Sequence, residues 1–208
     1  MTDFAPKTPP LTLEPVVLEG RFVRLEPLDE RHHTGLAAVV ADQGERIFAN
    51  SPLGPSFDAY FDAAMAARAP DDHLPFVVRE QATDAFVGMT RLFDIHPAHR
   101  GLEIGYTWYH PDFWGGVVNP ECKWLLMRHA FETAGYERVQ LKTDARNLHS
   151  QAAMLKLGAT REGMLRHHMV LPDGRWRDSV YFSVLAGEWS MVQAGLKARL
   201  QALSDAQG

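Results

Sequence analysis

One cysteine, Cys122, is the whole thiol complement of the 208 residues, which rules out an intrachain disulfide and suits a reducing compartment such as the cytoplasm. No apolar run approaches the roughly 18 residues that a membrane-spanning helix requires, and residues 1–10 lack the basic-then-apolar layout of a secretory leader. Positive charge is also scarce: 21 Lys and Arg against 26 Asp and Glu give a net charge of −5. That balance argues against the broad basic footprint that nucleic acid or an anionic membrane would need. Two nucleotide signatures are missing as well. No Gly-Lys-Ser/Thr follows the glycines, and no strand opens a repeated βαβ unit with Gly-x-Gly-x-x-Gly, so nucleotide hydrolysis and hydride transfer both lose ground. Ten histidines include no His-x-x-x-His helix pair, and neighbours such as His32–His33 and His167–His168 point in different directions, so no metal site is expected.

Apolar residues make up 46% of the chain, enough for one substantial core, expected over residues 16–203, with 1–15 and 204–208 as flexible ends. Residues 16–28 predict a strand bent at Gly20, and Asp29 opens a helix carrying Leu36, Val39 and Val40 on one face. Residues 50–55 look like loop, and 57–68 repeat apolar side chains at helical spacing. Strands are expected at 74–80, 85–93 and 102–109, with short connections that favour an antiparallel meander. A helix over 120–134 stopped by Gly135, a strand at 139–143 and a helix at 148–157 closed by Gly158 come next. Strands at 161–171 and 175–185 flank the turn Pro172-Asp173-Gly174, and Trp189, Val192, Leu196 and Leu200 mark an amphipathic last helix. The class is α+β (mixed α/β): a mostly antiparallel twisted sheet flanked by helices. The strand–helix–strand crossover between residues 102 and 143 makes one parallel pair.

The chemistry concentrates between residues 103 and 131. Asn119-Pro120-Glu121 offers a helix cap, a first-position proline and a first-turn acid, while Gly115-Gly116 lets backbone approach a bulky oxyanion and Lys123 adds charge one turn in. Any capped helix after a glycine turn shares these features, so the segment needs its context. Glu103, between apolar Leu102 and Ile104, is either a partly desolvated base or a carboxylate on the solvent face of a half-buried strand. Cys122 falls inside the helix and reads as a packing residue.

Leu102-Glu103-Ile104-Gly105-Tyr106, Phe113-Trp114-Gly115, and Asn147-Leu148-His149-Ser150 ahead of Lys156-Leu157-Gly158-Ala159 come in an order that resembles the GNAT superfamily of N-acetyltransferases, in its RimJ/RimL branch. Arg161-Glu162-Gly163, Leu171-Pro172-Asp173-Gly174, Asp178, Tyr181 to Leu185 and Glu188-Trp189 extend the likeness, which spans about residues 16–190. The loop departs from the superfamily's usual Gln/Arg-x-x-Gly-x-Gly/Ala, reading Phe113-Trp114-Gly115-Gly116-Val117-Val118-Asn119-Pro120. The resemblance implies direct acetyl transfer from acetyl-CoA to a small-molecule amine or a protein N-terminus. It requires neither metal nor nucleic acid nor membrane, and it allows a homodimer. It implies Glu103 as base, with Asp94 and Glu162 behind it, and Ser150 as the proton donor to the departing thiolate, with Tyr106 and Tyr181 as other acids. Cofactor contacts are implied at Ile104, Tyr106, Trp108, Trp114, Gly115, Gly116, Val117, Asn119, Lys123, Asn147 and Ser150. Asn147 and Ser150 can equally serve only to cap their helix. Arg161, Arg166, Arg175 and Arg177 could meet the adenosine 3′-phosphate or an acidic substrate, or simply face water.

Overall fold

The computed structural model describes residues 8–41, 43–48, 56–69 and 72–206. Its centre is one eight-stranded sheet in the order β1-β2-β3-β4-β5-β6-β8-β7. The strands are β1 (Leu18–Glu19), β2 (Val23–Pro27), β3 (His73–Glu80), β4 (Phe86–His96), β5 (Gly101–Tyr109), β6 (Arg138–Asp144), β7 (Thr160–Val170) and β8 (Trp176–Leu185). The helices are α1 (His33–Ala41), α2 (Gly44–Ile47), α3 (Phe57–Ala66), α4 (Val118–Arg128), α5 (Leu148–Leu157) and α6 (Trp189–Asp205). None of the described helices is long and apolar enough to cross a membrane. The predicted loop at 50–55 lies outside the described residues.

Alternation along the strands divides the apolar residues between two faces. On the back face Leu25, Phe76, Leu92, Ile104, Val139 and Phe182 pack with Cys122, Leu125 and Leu126 of α4, Leu157 of α5, and Trp189, Val192 and Leu196 of α6. Each such side chain, fully buried, contributes on the order of 1.5–3 kcal/mol. The front cluster is smaller: Val77, Met89 and Trp108 with Leu36 and Val40 of α1 and Phe61 and Ala64 of α3. No residue of β6, β7 or β8 belongs to it. The front of the sheet is therefore helix-covered over β3 to β5 and open from β6 onward, and that step sets the position of the site.

Three expectations need correction. Residues 16–28 form two strands and not one bent strand, because the chain reverses between Gly20 and Val23, whose N–H and C=O bond at 2.9 Å. The buried Glu121 carboxylate holds that reversal, accepting from the N–H groups of Arg21, Phe22 and Val23 at 2.7–2.8 Å. A Cβ at Gly20 would lie 2.5 Å from that carboxyl carbon, so a side chain there would push the carboxylate off these N–H groups. Second, α4 begins at Val118 with Val117 as its cap and no side-chain cap bond. Asn119 is not the N-cap: a 3-10 turn at Pro111–Phe113 and the left-handed Gly115 (φ +78°) bring the chain into the helix early. Its Oδ1 instead accepts from the Tyr109 hydroxyl at 3.4 Å. Third, α4 ends at Arg128 and passes into a π-helical turn over His129–Thr133, so the single helix expected to 134 is interrupted.

Candidate active site

Among the described strands β5 and β6 are the one parallel pair, joined only at Gly101–Arg138, Leu102–Val139 and Glu103–Gln140. Both strands continue beyond that register, β5 to Tyr109 and β6 to Asp144, each bonded on its other side to β4 or β8. The sheet thus opens into a wedge whose vertex is the Glu103–Gln140 pair. Along β5 a bulge follows. Gly105 pairs with Arg91 and Trp108 with Met89, so two β5 residues oppose one on β4, and Tyr106 takes a left-handed φ of +49°. Such bulges interrupt the ladder and redirect side chains, here turning the Tyr106 ring out over the front face, half exposed.

At the vertex Glu103 is 1% exposed. Its Oε2 accepts from Gln140 Nε2 at 2.8 Å and Lys142 Nζ at 2.9 Å, while Oε1 has no hydrogen bond among the described residues. Lys142 stands between aromatic rings, its Nζ 5.2 Å from the Phe93 centroid and 5.9 Å from that of Tyr181. The Tyr181 hydroxyl meets His168 Nε2 at 3.1 Å, and His168 Nδ1 meets Ser179 Oγ at 3.0 Å. Burial, with Lys142 and Arg177 nearby, pushes the His168 imidazole below its ordinary value and favours the neutral ring. A carboxylate, an ammonium, a phenol and an imidazole thus share the open front beside the wedge.

At the other end of the wedge is the start of α4. The N–H groups of Val118 and Asn119 have no acceptor within the helix and Pro120 has no N–H, so the first turn presents donors and a positive dipole end. Nothing lies within 4 Å of where a Gly115 side chain would begin. Trp114 is half exposed, with its Nε1 donating to the Tyr109 carbonyl at 2.9 Å and Arg46 5.5 Å above its ring. Lys123 is 7% exposed under β5, where its Nζ donates to Thr107 Oγ1 at 2.9 Å; burial pushes it down to about 8. Across the wedge, Asn147 caps α5, its Oδ1 accepting from the Ser150 N–H at 3.0 Å.

Other expected contacts are placed differently. The Ile104 side chain sits in the back core, and the Trp108 indole sits in the front cluster with its Nε1 donating to the Tyr60 hydroxyl at 3.2 Å; both leave only backbone toward the wedge. Of the other carboxylates considered as base, Glu162 is taken by Arg138 and Ser183, and Asp94 by His96 at 2.9 Å. Burial pushes the Cys122 thiol up to about 12 against the lowering effect of a Tyr109 hydrogen bond, which makes it inert packing. Arg175 donates to Asp144 at 3.0 Å beside a cleft of about 260 Å³ that Arg146, His167 and Trp176 also line. His32 and His33 diverge, to Glu26 and to Asp58. Gln140, Lys142, His168 and Arg91 were missed by sequence reasoning. A signal exists for the first two: Gln140, Lys142 and Asp144 alternate with Val139, Leu141 and Thr143 in a central strand, where polar residues on one face imply an open surface.

A splayed parallel pair ending at an anion-ready helix start leaves room for an extended ligand that carries an anionic group. Residues 23–160 match the acetyltransferase (GNAT) domain family, and the chain belongs to it. A GCN5-related N-acetyltransferase from Brucella melitensis is similar in structure, with a TM-score of 0.85 and 32% identity over 93% of this chain and 89% of that one. The Bacillus subtilis (strain 168) protein YdaF, provisionally named a ribosomal N-acetyltransferase, is 33% identical over 103 residues, which are 49% of this chain and 55% of YdaF. The chain thus spans about half the length of that relative. Mycobacterium smegmatis RimJ in complex with CoA-disulfide shares the fold, with a TM-score of 0.73 and 22% identity over 92% of this chain and 96% of that one.

Proposed function

We propose that this protein transfers the acetyl group of acetyl-CoA to a primary amine, on a small molecule or at a protein N-terminus. The wedge between β5 and β6 carries the reading. An extended pantetheine has backbone of β5, from Ile104 to Trp108, that pairs with no β6 residue and can bond it in place of the missing strand. The pyrophosphate lies at Trp114, Gly115, Gly116, Val117 and Asn119 at the start of α4, with Lys123 below it. Asn147 and Ser150 close the far side.

In this scheme the thioester carbonyl sits near the vertex. The amine nitrogen attacks its carbon, the C–N bond forms, the C–S bond breaks, and the nitrogen gives up a proton. Glu103 takes that proton through Oε1, directly or through a water, while Gln140 and Lys142 hold Oε2 and fix the carboxylate's direction. The Ser150 hydroxyl donates a hydrogen bond to the departing thiolate, which takes its proton from water, and Glu103 returns the amine proton to water to restore the site. The assay is thiol release from acetyl-CoA with N-terminal peptides, polyamines, amino acids and aminoglycosides as acceptors. Turnover with one class is expected; tight CoA binding without thiol release from any of them would make the chain a CoA-binding module instead.

A further inference from the structure

Arg91 stands on the front of β4, 4% exposed, and no carboxylate among the described residues comes within ion-pair distance of it. Its guanidinium lies 4.3 Å from the Tyr106 centroid and 4.9 Å from that of Tyr60. Nη1 reaches His73 Nε2 at 3.3 Å, and Nε has no partner among the described residues. Burial and the Arg91 charge push His73 below its ordinary value, so the ring accepts and does not compensate the cation. An unpaired buried charge is expensive, and proteins that keep one usually have an anion to meet it. Elsewhere on the front face Glu103 pairs with Lys142 and Asp144 with Arg175, while the less buried Arg177 also keeps an unmatched Nε among the described residues.

Its position is what gives the orphan cation meaning. Arg91 pairs with Gly105 and Phe93 with Glu103, so Arg91 is two residues along β4 from the wedge vertex, about 7 Å at the usual rise per residue. Phe93 is the floor between them, 4.9 Å from the Tyr106 ring and 5.5 Å from that of His73. The Tyr106 ring, turned outward by the bulge, lies against the Arg91 guanidinium. A planar fork of donors held between two rings is shaped for a carboxylate.

We propose that Arg91 receives a carboxylate of the acceptor, so that the amine acetylated at the vertex carries a carboxylate only a few bonds away. The inference rests on the acetyl-transfer reading and narrows its substrate class. Polyamines, which carry no anion, are excluded as good acceptors. The carboxylate can come from a free amino acid or from the side chain of an acidic first residue on a peptide.

The test uses the full chain, acetyl-CoA and matched acceptors: amino acids against their carboxamides, and peptides beginning with Asp or Glu against those beginning with Asn or Gln. Carboxylate members are expected to exceed their amides by about 10- to 100-fold in kcat/KM, the range of a charge-assisted hydrogen bond. Preference in the first pairs alone identifies an amino-acid acceptor, and in the second alone an acidic N-terminus. Arg91→Met should cost the acids more than the amides, chiefly through KM, and should not lower the unfolding midpoint, since it removes an unpaired buried charge; Arg91→Lys should retain part of the preference. Equal turnover of acids and amides by the unaltered protein, or an equal loss for both on Arg91→Met, would overturn the proposal. If no acceptor turns over, acetyl transfer itself fails. Ligand-observed NMR of the same acids with the CoA-loaded protein then decides the Arg91 site: binding lost in Arg91→Met supports it, and no binding to the unaltered protein overturns it.

Discussion

Glu103 shows how one residue's surroundings divide roles. A carboxylate buried at the wedge vertex could be a structural ion-pair partner or a base, and the proposed reaction uses one oxygen for each. Oε2 is committed to Gln140 and Lys142, while Oε1 points to no described donor. Glu103→Gln keeps the shape and removes the proton acceptor, so kcat should fall by roughly 10²- to 10⁴-fold with CoA affinity retained. Lys142→Met is the control for the ion pair: it should cost less in kcat, because the carboxylate remains. If the two variants lose rate equally, Glu103 positions and does not accept the proton. The sequence offered Glu103 with two meanings because strand alternation says which residues share a face without saying what covers that face. Arg91 was harder to read still, since it gains its role from neighbours brought in by β3, β5 and α3.

At the scale of elements, α4 serves two ends. Glu121 fastens the β1–β2 reversal through three backbone N–H groups, a contact nearly a hundred residues apart in sequence that no local pattern announces. Glu121→Ala would leave three donors unmatched, that of Val23 buried, and should lower stability by about 2–4 kcal/mol in urea unfolding. Lys123, two residues on, is the opposite case. Its depression from 10.5 to about 8 corresponds to roughly 3 kcal/mol held against the charged form. With the folded value below the unfolded one, that cost is fully present below pH 8 and fades as pH rises toward 10.5. Lys123→Met should therefore stabilise the fold most at neutral pH, and weaken CoA binding if the ammonium serves the phosphates. Calorimetric titration of CoA beside urea curves at pH 7 and 10 separates the two effects. Most elements are legible in the residues alone: the three-strand meander, the parallel crossover, the helix closed by Gly158 and the 172–174 turn all fall where period and turn chemistry put them. The misplaced boundaries are those set by tertiary contact. Glu121 folds residues 20–23 back, and the turn through Gly115 starts α4 before its best capping residue.

Across the whole molecule, acid sensitivity should come in two stages. His32, His73, His129 and His168 are each pushed below 6.5, in every case first by burial. His32 shows how: its Nδ1 accepts from the Asp29 N–H and its Nε2 lies 3.1 Å from Glu26, an arrangement that the neutral ring satisfies. For such groups the unfolded chain takes up protons that the fold refuses, so stability falls as pH drops below about 6.5 and levels once the folded imidazoles protonate. Glu26, Asp144 and Glu162 carry the opposite protonation preference. Burial raises Glu26 and Asp144, but the arginines and N–H groups around them prevail, and Arg138 holds Glu162 down. Their contribution is present above about 4.5 and is lost as pH falls through the depressed folded values. Urea midpoints measured from pH 8 to pH 3 should therefore show a first decline beginning near 6.5 and a second below about 4.5. His129→Gln should flatten only the first, since its ring has an unmatched buried nitrogen and no carboxylate partner among the described residues. A single acid transition confined below pH 4.5 would mean that the histidines stay solvated enough to protonate in the fold. The surroundings of His73 and His168, beside the wedge, would then be wetter than their burial implies.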